Sequence, residues 1–88
     1  MRPAAYRVTT LVVGRNNEVS ERYEDFHSKH PAMRAAREIV DRFDPHYLNR
    51  VGSLWQDGFV RIWENRCIKA VVIVEQRETH DTYKPIGE

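Results

Sequence analysis

Residues 31–43, PAMRAAREIVDRF, carry the pattern that most restricts the fold. Ala32, Met33, Ala36, Ile39, Val40 and Phe43 recur at helical spacing on one stripe, with Arg34, Arg37, Glu38, Asp41 and Arg42 opposite. Pro31 suits a first helical position, where its missing N–H is no loss and its fixed φ is already helical. Asp44-Pro45 ends the run, because the residue before a proline is pushed out of the α region. Such a helix needs an apolar surface to lie on, and strand-like segments flank it on both sides. Its outer charges are spaced for i,i+4 pairs: Arg34–Glu38, Arg37–Asp41 and Glu38–Arg42.

The first strand is expected over 6–13, YRVTTLVV, rich in β-branched and aromatic residues. Gly14-Arg15-Asn16-Asn17 has the composition of a tight turn. A charged strand follows over 18–26, with Val19 and Tyr23 on one face and Phe26 of opposite parity, which calls for a bulge near Asp25 if Phe26 also points inward. Its many charges mark it as an edge. Ser28 or His30 would cap the helix. The connector over 44–58, DPHYLNRVGSLWQDG, predicts a short helical turn at 45–50, with Tyr47, Leu48, Val51, Leu54 and Trp55 too apolar for an idle loop. Strands are expected over 59–64 and 67–76, turning at Asn65-Arg66. The last strand is apolar on both faces and therefore central.

The result is an α+β fold of order β-β-α-β-β: a four-stranded, mainly antiparallel sheet packed on one amphipathic helix. First and last strands form its middle. If that pair were parallel, the layout would be β-grasp-like. A single domain is expected over 1–78, followed by a polar C-terminal tail over 79–88.

Function begins from exclusions. The chain's 88 residues hold 14 Lys and Arg against 13 Asp and Glu, a net charge of +1, which argues against binding nucleic acid by bulk charge alone. Cys67 is the only cysteine, so no internal disulfide forms. No apolar run after Met1 resembles a secretory signal, and 70–74 is too short to span a bilayer. A cytoplasmic protein without membrane contact is expected.

No catalytic constellation stands out. His27 and His30 are three apart, but zinc wants four N or S ligands, commonly in two close pairs, and a second pair is missing. Cys67 reads as a small, half-buried structural residue rather than a nucleophile. No glycine-rich loop cradles a phosphate at the helix start. No catalytic residue, metal or cofactor is predicted, and an enzyme is not expected.

The remaining lead is the sheet face away from the helix. If Val8, Thr10 and Val12 face the helix, then Arg7, Thr9, Leu11 and Val13 face outward, joined by Lys69, Val71 and Ile73. Either Arg61 and Trp63 or Val60 and Ile62 complete that face, depending on phase. One helix covers one side only, so a partner or a second copy is expected on the other. Aromatic, apolar and cationic side chains on an open face suit a protein interface, with Trp, Tyr and Arg as anchors. The predicted contact residues are Arg7, Tyr47, Trp55, Arg61, Trp63 and Lys69, shared between that face and the connector. Single-stranded nucleic-acid platforms use the same ingredients and give the alternative reading. In size and architecture the chain is similar to many small phage or mobile-element proteins. Some of these bind and inhibit a host assembly, as anti-CRISPR proteins and polymerase inhibitors do; the similarity covers no motif.

Overall fold

A computed structural model describes residues 4–87; the first three residues of the lead-in and Glu88 lie outside the described residues. The elements are β1 (Tyr6–Val13), β2 (Val19–Phe26), α1 (Lys29–Phe43), β3 (Arg50–Ser53), β4 (Phe59–Glu64), β5 (Cys67–Arg77) and β6 (Tyr83–Pro85). The fold is a small α+β domain with one antiparallel sheet and one helix. The sheet has six strands, not four: β2-β1-β5-β4-β3, with β6 also paired to β5.

The two additional strands come from segments expected to be otherwise. No helical turn forms at 45–50. Tyr47 instead takes φ 59°, the left-handed region, and the chain enters β3, antiparallel to β4. That added pass along the sheet edge decides the direction of the central pair. With it, β5 runs antiparallel to β1, and the β-grasp-like alternative is excluded. The second addition, β6, lies where a polar tail was expected. Val74 explains it: its N–H donates to the carbonyl of Gly58 at 2.8 Å and its carbonyl accepts from Ile86 N–H at 3.0 Å. The apolar β5 outruns β4, and β6 takes over its unpaired backbone.

α1 buries Ala32, Met33, Ala36 and Val40, with Ile39 and Phe43 half-buried, which is the stripe read from sequence. Beneath it lie Val8, Val60, Ile62, Ala70, Val72 and Val74, all 3% exposed or less. The small side chains of Ala32, Ala36 and Ala70, all fully buried, let the helix lie close to the sheet. Ser28 is the N-cap residue, without a side-chain cap bond, and the helix begins at Lys29, so Pro31 sits inside the first turn rather than at its first position.

Two further expectations are corrected. No bulge occurs in β2. Tyr6 pairs with Phe26 in continuous register, so Phe26 points to the helix and Val19 and Tyr23 to the open side. The irregularity lies instead between Ile62 and Trp63 of β4. The i,i+4 ion pairs do not form within 4 Å among the described residues. Asp41 pairs instead with Arg50 at 3.3 Å, a residue brought to the helix end by the connector. The Asn65-Arg66 turn forms as read, with φ 50° and 67°, both left-handed as a type I′ hairpin turn requires.

Candidate protein-docking face

Cross-strand partners project to the same side of a sheet, so the register assembles the open face row by row. One row runs Tyr23–Thr9–Ile73–Phe59, from β2 to β4. The next runs Glu21–Leu11–Val71–Arg61, with Val51 of β3 beyond it. Val13 and Val19 begin a third row, and Trp63, two residues after Arg61, carries the alternation of β4 to its far side. Val60 and Ile62 are buried under the helix, which settles the phase in favour of Arg61 and Trp63 on the open face. Within these rows Thr9 is 8% exposed, its hydroxyl engaged with Glu75, whereas Leu11, Phe59, Val71 and Ile73 are half-buried and Glu21, Tyr23 and Arg61 are exposed.

A fourth row, Asp25–Arg7–Glu75, closes one end. The Arg7 Nε donates to Asp25 Oδ1 at 2.7 Å, and its guanidinium lies between the rings of Tyr23 and Tyr83, 4.1 and 4.2 Å from their centroids. The hydrogen bond from Arg7 holds the Asp25 carboxyl below its ordinary range against the opposing pull of burial. The same bond raises Arg7. Beside this ladder, Glu21, Glu75 and Asp81 border a shallow hollow of about 330 Å³ with Thr9, Leu11 and Ile73 in its lining. Glu75 is fixed there by the Thr9 hydroxyl, which donates to Oε1 at 2.6 Å.

The predicted contact residues divide between two surfaces. Arg7, Arg61, Trp63 and Lys69 belong to the sheet, but Arg7 is engaged as described and Lys69 Nζ lies 3.0 Å from a Glu64 carboxylate oxygen. Arg61 has no carboxylate within 4 Å among the described residues and rests over the Phe59 ring at 4.6 Å. Tyr47 and Trp55 are elsewhere. Tyr47 stacks on Arg50 at 4.3 Å, and Trp55 borders a groove along α1 with His30, Met33 and Arg34. The predicted set omits Glu21 and Tyr23 of β2. The signal that would have included them was the parity of Phe26, which places them outward once no bulge is assumed.

Cys67 is exposed rather than half-buried, beside the hairpin turn. Among the described residues no group of three or more His, Cys, Asp or Glu is placed to hold a metal ion, and no helix is long and apolar enough to cross a membrane. Comparison with protein-family models, curated proteins and solved structures found no match to this chain.

Proposed function

We propose that this chain is a non-enzymatic protein-binding module that docks through the open face of its sheet. The observation that carries the reading is the patch of half-buried Leu11, Val71, Ile73 and Phe59 with exposed Trp63, on the side of the sheet opposite the only helix among the described residues. Contiguous apolar surface of this kind marks an interaction site, and its Trp and Arg are the residue types that dominate binding energy. A protein that binds and inhibits a host assembly is one form of such a module, and self-association is another. The test is capture from lysate with wild type, Val71→Arg, Trp63→Ala and Trp55→Ala proteins. A partner held by wild type and Trp55→Ala but lost from the two sheet-face variants supports the reading. Equal retention by all four refutes it.

A second reading, nucleic-acid binding, draws on Arg61, Phe59 and Trp63, a cation beside two aromatic rings on one strand. The engagement of Arg7 and Lys69 with carboxylates counts against it. Fluorescence anisotropy of labelled single-stranded and duplex oligonucleotides at two salt concentrations tests it. Binding that weakens steeply with salt supports it, and no binding at low salt refutes it.

A further inference from the structure

We propose that the occupant of the open face is a second copy of this chain, stacked face to face about a two-fold axis that runs along the strands between β1 and β5. The inference rests on the reading of that face as a protein-docking surface, and names its partner.

The rows carry the argument. A rotation about such an axis turns one sheet over onto the other, setting β2 opposite β4 and β1 opposite β5. In the row Glu21–Leu11–Val71–Arg61, Glu21 then meets Arg61 of the second copy, and Leu11 meets Val71. In the row Tyr23–Thr9–Ile73–Phe59, the exposed Tyr23 meets Phe59. Opposite charges, paired aromatics and an aliphatic pair coincide in one arrangement, and symmetry forms each of them twice. Stacked sheets lie about 10 Å apart with strands aligned to within about 30°, so these side chains interdigitate. The engaged Arg7–Asp25 pair under Tyr83 forms the polar boundary of the contact.

Neighbouring arrangements fail on charge. Shifting the axis onto β5 sets Arg61 against Leu11 and Glu21 against Val51, which leaves charged groups facing aliphatic ones. Edge pairing of β2 with itself about Arg22 and Tyr23 sets Glu21 against Glu24.

Sedimentation velocity over a concentration series tests the inference, using wild type, Glu21→Arg, Arg61→Glu and the double swap. Both sites are exposed, and circular dichroism verifies that each variant is folded. Wild type is expected to dimerise. Each single variant places like charges together twice and is expected to raise the dimer dissociation constant at least about tenfold. The double swap is expected to restore it. A wild type that stays monomeric overturns the inference, as does a dimer indifferent to both single variants or one that the swap does not restore. A monomer that still retains a partner through the sheet face in the capture experiment overturns the dimer alone and leaves the docking reading in place.

Discussion

Asp44 is 2% exposed yet charged, and its surroundings explain how. Burial pushes its carboxyl up, but the Arg50 guanidinium, 2.9 Å away, and the backbone N–H groups of Asn49 and Leu48 outweigh that and hold it below the ordinary range. A carboxyl depressed in the folded state contributes stability that is present above its unfolded pKa, about 3.9, and lost as pH falls through the folded value. Asp25 acts in the same direction and window. Thermal melts between pH 7 and pH 2.5 should therefore show wild type losing stability below about pH 4. Asp44→Asn should melt lower than wild type at pH 7 and lose less on acidification. Gly58 is constrained differently: its φ is +77°, and an added Cβ would stand 2.8 Å from the Ile86 nitrogen, a backbone atom. Gly58→Ala is expected to cost on the order of 1–3 kcal/mol in urea unfolding, from strain where β4, β5 and the C-terminal segment meet.

At the scale of elements, β6 shows what composition conceals. Residues 79–88 are mostly polar, but a strand needs only backbone partners, and β5 has them to spare beyond its pairing with β4, with Ile86 packing on the core beside it. Tyr83 anchors the element: its hydroxyl donates to the Ala4 carbonyl at 3.3 Å, and its ring covers Arg7. Tyr83→Ala should lower stability by about 1–2 kcal/mol, from the lost hydrogen bond and cation–π contact. It should also speed amide exchange in β6 and at Arg7. Unchanged exchange at both would show that β6 holds without its tyrosine. The charged β2 behaves as an edge, as its sequence indicates, with every residue but Phe26 exposed.

For the whole molecule, length decides coverage. The 15 residues of α1 span about 22 Å at 1.5 Å per residue, whereas the longest axis of the molecule is 43 Å. One helix therefore covers one face and part of its length, and the opposite face carries no helix among the described residues. Stability rests on that one sealed layer. A chain of this size has about 4–13 kcal/mol in total, and Ile62→Ala should remove about 2–5 kcal/mol through its cavity. Denaturant titration should show Ile62→Ala with a sharply lowered midpoint. Arg61→Ala, one residue away on the open face, should leave the midpoint nearly unchanged at protein concentrations where the chain is monomeric.

The helix, its buried stripe, four strands and two hairpins were legible because each depends on local periodicity or turn chemistry: period 3.6 in 31–43, β-branched runs in 6–13 and 67–76, and Asn65-Arg66 at a turn. The open face was legible in outline, since the alternation of β1 and β5 marks it. Tertiary structure decided the rest. Neither β3 nor β6 has an apolar pattern of its own; each exists because a neighbouring strand offers unpaired backbone groups. The antiparallel central pair follows from β3, through one extra pass of the chain. The direction of Phe26 depends on the register with β1, and the partner of Asp41 on where Arg50 lands. Pairing of Glu21 with Leu11, Val71 and Arg61 in one row requires four strands in register. Periodicity reports which side of a strand a residue takes, but only the assembled sheet determines what stands beside it.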